Sequence, residues 1–187
     1  MQVAIVGLAP STHDQAPLED PDWETWGFAL DDESYPYLDK VFEMHPLSLM
    51  RKVKPFLERR MREEIDVPVY MQEAYPEIPG AIAYPIEDVI SIVGDYFNSS
   101  IAYMLGLAIL KKVDRIGIWG VDMAGDDEFG YQRPNTEYLI GFARGMGIDV
   151  VVPEESSLLT FGVEGGGIHT QNWFTENERT GRYGYYK

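Results

Sequence analysis

Apolar residues fall along this chain in two kinds of run, short continuous blocks and longer stretches with helical spacing. Gln2–Val6 (QVAIV) is a continuous block, the mark of a strand buried on both faces of a parallel sheet. Ser11 to Asp22, rich in Pro, Asp and Ser, reads as a loop with at most one helical turn. Glu24–Leu30 predicts a second strand, Asp31–Tyr37 a polar turn, and Lys40–Met44 a third strand that runs into His45 and Pro46. Leu47–Glu64 predicts one helix with Leu49, Val53, Phe56, Leu57 and Met61 at helical spacing and a basic surface. Val67–Met71 is the next strand, and Pro85–Val93 a short helix with its proline near the first turn.

The second half repeats the alternation. The segment NSSIAYMLGLAILKK offers Asn98 or Ser99 as N-cap of an almost wholly apolar helix. It feeds DRIGIWGVDM, a buried strand ending in Gly120, Asp122 and Met123. NTEYLIGFARGMG predicts a helix capped by Asn135 or Thr136 and stopped by Gly147, and IDVVVPE is the last strand. Strands alternating with helices predict an α/β fold, a three-layer sandwich whose mainly parallel sheet is covered on both faces. Residues 1–160 make one domain on this reading. Residues 161–187, glycine-rich and aromatic without a period, form an irregular C-terminal arm expected to lie over a subunit interface in a homo-oligomer.

Composition narrows the function. With 187 residues and 45% hydrophobic content, the chain can bury a real core. It has no cysteine, so disulfides and thiolate metal sites are excluded. Met1 leads straight into a strand with no basic segment before it, and no apolar run reaches the length of a membrane span; both give the expectation of a cytoplasmic protein without a membrane partner. Thirty-one acidic residues against 15 basic ones give a net charge of −16, a field that repels nucleic acid. The acidity fits a solvated surface. A site for a divalent metal is the sharper alternative. A local basic patch survives at Arg51–Lys54 and Arg59–Arg62.

In open parallel sheets ligands bind beyond the carboxyl ends of the strands. Gly7, Pro10, Ser11 and Thr12 follow the first strand and could wrap a phosphate or ribose; a plain strand exit is the alternative. Asn98, Ser99 and Ser100 stand at the start of the apolar helix, where free N–H groups and the helix dipole favour an anion; plain N-capping is the alternative. His45, at a strand end, is a candidate general base or base contact, against a structural histidine. His13 and His169 are weaker candidates. Asp122 is a second candidate base. Asp122, Asp126, Asp127 and Glu128 could hold Mg²⁺, against an acidic solvated loop. Tyr131, Gln132 and Arg133 offer donors for a phosphate or a sugar, Tyr131 and Arg133 for a leaving phosphate, and Pro134 is expected to hold Arg133 extended. There is no zinc spacing, no G-x-S-x-G and no Walker loop.

The succession VAIVGLAPST, FEMHP, FNSSIAYMLGLAI and RIGIWGVDM resembles the bacterial sialyltransferase-like Rossmann proteins and their motility-accessory-factor and hydroxymethylpterin-pyrophosphokinase-like relatives. Small bacteriophage proteins share the pattern. The resemblance spans about Val3 to Leu159 and implies a Rossmann-like fold. It also implies a nucleotide-sugar donor lined by Gly7, Pro10 and Ser11, with Ser99 and Ser100 at its phosphate or ribose and Asp122 at the mouth. Leu8 replaces the family's loop asparagine. The acceptor-binding insertions are missing, so His169 does not align with the family's late general-base histidine, and Tyr131 or Tyr138 match its phosphate-assisting tyrosines only loosely. The leading expectation is therefore a small glycosyltransferase-like protein that binds a nucleotide-sugar. The alternatives are a non-catalytic nucleotide-binding module, an Mg²⁺-dependent pyrophosphoryl or nucleotidyl transferase, and a purely structural role.

Overall fold

The structure, a computed structural model, describes residues 1–29, 38–124 and 128–159, with 128 and 129 as backbone only. Within these residues one sheet forms from β1 (Gln2–Val6), β2 (Trp23–Phe28), β3 (Lys40–Phe42), β4 (Val69–Met71), β5 (Ala81–Ala83), β6 (Arg115–Trp119) and β7 (Asp149–Val151). Its order is β5-β4-β3-β2-β1-β6-β7, and every neighbouring pair is parallel. The helices are α1 (Leu47–Val53), α2 (Pro55–Glu63), α3 (Ile86–Val93), α4 (Ser100–Leu110) and α5 (Glu128–Gly145).

Alternation along the strands assigns the helices to faces. Val3, Ile5, Phe42 and Tyr70 pack with residues of α3, α4 and α5. Val41, Val69 and Met71 point the other way, onto Leu47, Met50, Leu57 and Met61 of α1 and α2. Ala4 and Val6 share that second side with Trp119. This is a Rossmann-like α/β sandwich. β1 lies between β2 and β6 at its centre, which is why Val3–Val6 are wholly buried and why their sequence does not alternate. α4 is buried around most of its circumference, hence apolar nearly throughout.

Several expectations are corrected. The single helix over Leu47–Glu64 is two helices broken at Lys54, which adopts φ −140°, ψ 57°. The residue before a proline is driven out of helical conformation, and Pro55 follows. The break shifts the helical phase, so Leu57 and Met61 are buried while Leu49, Val53 and Phe56 are exposed. β5 (AIA) was not expected; it is a three-residue edge strand, two of its residues exposed, too short a run to stand out beside Gly80 and Pro85. α5 starts at Glu128, so Asn135 and Thr136 are buried helix-interior residues and not caps. Asn135 Nδ2 instead donates to the Tyr96 carbonyl. Pro134 sits inside α5, and Arg133 is helical, not extended. The 31–37 turn, Asp126, Asp127, His169 and the 161–187 arm lie outside the described residues. No described helix is long and apolar enough to cross a membrane.

Candidate functional site

The chain builds outward from β1 to β5, then returns through α3 and α4 to lay β6 on the other side of β1. The order reverses at β1, and the loops that leave β1 and β6 meet a crevice at the carboxyl edge of the sheet. A cleft of about 800 Å³ opens there, within the range of small-molecule sites. Its walls are the β1 loop (Gly7–Pro10), the β6 loop (Gly120–Ala124), the start of α4 (Asn98–Ile101) and the end of β3 (Phe42–His45).

The β1 and β6 loops are fastened backbone to backbone. Gly7 N–H donates to the Trp119 carbonyl at 2.8 Å and Ala9 N–H to the Gly120 carbonyl at 2.7 Å. Gly120 has φ +63°, the left-handed region that glycine favours. A Cβ on Gly7 would stand 2.2 Å from the Gly120 carbonyl oxygen, and one on Gly120 2.3 Å from that of Gly7. The two glycines let these loops touch. Buried Thr12 accepts from Gly120 N–H through Oγ1 at 2.8 Å. Ser11 Oγ donates to Asp122 Oδ1 at 2.9 Å, and the same oxygen accepts from Ser157 N–H at 3.1 Å. Ser11 and Thr12 therefore hold the wall from behind and do not line the cleft. Asp122 lines it but works as a brace that also ties in the turn after β7.

The α4 terminus forms the opposite wall. Ser99 is extended at φ −151°, ψ 154°, and its Oγ accepts from Ala102 N–H at 3.2 Å. It is an N-cap, as one of the sequence readings had it, and it stands in the cleft beside Asn98 and Ser100. The dipole of an 11-residue, largely buried helix thus ends on the cavity. Asn98 Nδ2 donates to the Tyr131 carbonyl at 2.5 Å, fastening α5 to this corner. Phe97 stacks on Tyr103 with ring centroids 5.1 Å apart, and both line the cleft. Behind them Tyr84 donates its hydroxyl to the Tyr103 carbonyl at 2.8 Å. Burial pushes the Tyr84 phenol far above its usual range and raises that of Tyr103 as well.

The end of β3 carries a carboxylate–imidazole pair. Glu43, 5% exposed, accepts from the His45 backbone N–H at 3.0 Å and pairs with His45 Nδ1 at 2.5 Å. An ionised carboxylate only accepts, so Nδ1 is the donor and Nε2 of the neutral ring is left basic. The imidazole is half exposed at the cleft. Gln72 Nε2 steadies the strand end by donating to the Met44 carbonyl at 2.8 Å. Lys54 also lines this side, brought there by the break between α1 and α2.

The cleft brings together Gly7, Pro10, His45, Asn98, Ser99, Ser100 and Asp122. Tyr131 is exposed on α5 and does not line it. Arg133 points elsewhere, to Glu137 Oε1 at 2.9 Å and the Ser157 carbonyl at 2.5 Å. His13 Nδ1 lies 2.8 Å from the Gly7 carbonyl. Sequence reading singled out neither Glu43 nor Lys54 as a functional residue. The E-x-H spacing along an extended strand end carries the first signal, since residues two apart share a side. The second was in Lys-Pro. Among the described residues no group of three or more His, Asp and Glu could hold a metal ion. Asp126 and Asp127 lie outside those residues, and Glu128 is described by its backbone alone.

No family model matches the sequence, and no curated protein sequence matches it. Solved structures do. The chain is similar to the sialyltransferase CstII from Campylobacter jejuni in complex with the substrate analogue cytidine-5'-monophosphate, at 17% identity and a TM-score of 0.52 over 81% of this chain and 78% of that one. The complex of the same enzyme with CMP-3FNeuAc gives 16% and 0.54 over 81% and 79%. Its complex with CMP and a trisaccharide acceptor gives 14% and 0.52 over 81% and 80%. At these identities the likeness establishes a shared fold.

Proposed function

We propose that this protein is a glycosyltransferase that binds a nucleotide-sugar, of which a cytidine monophosphate sugar is the first to test, in the switch-point cleft. One observation carries the reading: a Ser99-capped helix N-terminus and a carboxylate-held imidazole line one cavity of substrate size. Gly7 and Pro10 pack along the nucleoside, and Asn98, Ser99 and Ser100 with the α4 N–H groups take the phosphate. His45 Nε2 removes the proton from an acceptor hydroxyl. That oxygen bonds to the anomeric carbon while the bond from that carbon to the phosphate oxygen breaks, and the nucleotide leaves with the electron pair. Asp122 holds the wall and leaves proton transfer to His45. Tyr131 and Arg133 have no role at the leaving phosphate in this scheme.

The test is a thermal-shift panel of nucleotides and nucleotide-sugars, with and without Mg²⁺, on wild type and Ser99→Ala. A ligand well above its Kd raises Tm by mass action. We expect a cytidine nucleotide to raise Tm in wild type, and Ser99→Ala to lose the shift while costing about 1 kcal/mol of stability as a lost cap. No shift with any nucleotide overturns the reading. A shift without turnover of any sugar conjugate favours the nucleotide-holding module, and a shift that requires Mg²⁺ favours pyrophosphoryl or nucleotidyl transfer.

A further inference from the structure

The side of the cleft away from α4 has a charge of its own. Among the described lining residues Lys54 is the one permanent cation, in a chain of net charge −16. The two lining carboxylates have hydrogen-bond partners of their own, Glu43 in His45 and Asp122 in Ser11 and Ser157, and neither holds the Lys54 ammonium. Among the described residues no carboxylate pairs with the Lys54 ammonium, whereas neighbouring Arg51, Arg60 and Arg62 are all paired with glutamates. The placement is built in: Pro55 breaks the helix at Lys54, and α1 and α2 cover the face of the sheet opposite α4. The α4 terminus and the Lys54 ammonium thus stand on either side of the sheet edge, one a helix dipole and the other a full cation. His45, at the end of β3, lines the same cavity.

The α4 terminus accounts for the phosphate of a donor. A cation across the cavity, the first residue after the helix that starts just beyond the base, meets the other reactant. We propose that the β3 side of the cleft is a subsite for an anionic sugar, whose carboxylate or phosphate is held by Lys54 and whose reacting hydroxyl faces His45 Nε2. This rests on the transferase reading for the role of the hydroxyl, while recognition of the anion stands on the lining alone. The local cation also has a task that a neutral acceptor would not set, because an anionic sugar must approach a strongly anionic protein.

The experiment follows the imidazole ¹⁵N signals of His45 while wild type, Lys54→Gln and Lys54→Arg are titrated with glucuronate, glucose 6-phosphate and glucose. The thermal shift by cytidine monophosphate is the parallel readout. Lys54 is exposed, so the variants keep the fold. In wild type glucuronate, glucose 6-phosphate or both should perturb His45 with affinity about tenfold above that of glucose, the scale of one charged hydrogen bond. Which anion is preferred separates a carboxylate sugar from a phosphate sugar. Lys54→Gln should abolish the preference, and Lys54→Arg should keep it, with the nucleotide shift unchanged in both. Equal titration by glucose, or a preference that survives Lys54→Gln, overturns the subsite. So does loss of the nucleotide shift in Lys54→Gln, which would give Lys54 to the donor phosphate. Sugar binding without any nucleotide shift would leave the subsite standing and remove the transferase reading.

Discussion

Glu43 and His45 stand two residues apart at the end of one strand, and the buried member of the pair decides what the exposed one can do. The carboxylate takes both the backbone N–H and Nδ1 of His45, which fixes the ring and its tautomer. In Glu43→Gln the amide can donate to Nδ1 and invert the proton's position, leaving Nε2 unable to accept. We expect the imidazole ¹⁵N pattern to move from Nδ1–H towards Nε2–H. Turnover should fall about a hundredfold, the lower range of general-base catalysis, with KM for the donor unchanged. Loss of turnover with an unchanged tautomer would make Glu43 merely structural. His45 was legible as a candidate because it follows a strand and precedes a proline. Glu43 lies within the same predicted strand, but its partner depends on how the chain turns at Met44, and composition does not carry that.

Between elements, the cleft depends on contacts that allow no side chain. Gly7 and Gly120 follow two strands and stand 113 residues apart in sequence, yet each would drive a Cβ into the other's carbonyl. Gly7→Ala must push the β1 and β6 loops apart, at about 3 kcal/mol and about 6–12 °C in Tm for a domain of this size. A calorimetric scan beside the nucleotide shift should show stability and ligand response lost together. The α3–α4 packing has a pH signature. Tyr84 and Tyr103 have phenols raised by burial, and the unfolded value is about 10. Their contribution is whole below about pH 10 and is lost as pH rises through the folded values, because the unfolded chain ionises first. The urea midpoint should fall above about pH 10, and Tyr84→Phe should flatten that fall; an identical slope in the variant would place the alkaline loss elsewhere. The order of elements was largely legible, because buried parallel strands announce themselves as apolar blocks. β5 was not, since its apolar run is only the three residues Ala81–Ala83, followed within two residues by a proline. The α1–α2 break was written in Lys54-Pro55 but masked by a helical spacing that ran through it, and α5 extends back over Pro134 because packing on α4 outweighs one lost backbone bond.

At the scale of the whole molecule, fold and charge make different demands on the same site. The sheet edge offers an anion the α4 terminus and the Lys54 ammonium, while the chain as a whole carries −16. A nucleotide approaching at about 0.01 M ionic strength meets that net charge across a Debye length of about 30 Å; at about 0.15 M the reach shrinks to about 8 Å. Within about 8 Å of the cleft a phosphate meets the α4 terminus and Lys54 together with Glu43 and Asp122, but beyond it the acidic remainder of the chain acts alone at low salt. Association of a nucleotide should therefore speed up as salt rises between these limits, the reverse of the behaviour of a basic phosphate-binding protein. Stopped-flow binding of a fluorescent cytidine nucleotide reads this directly, with dissociation nearly unchanged because the bound phosphate feels chiefly its near neighbours. An association rate that falls with salt would mean that the field at the mouth is positive despite the total. The outcome thus measures how far the local edge, and not the net charge, governs what reaches the site.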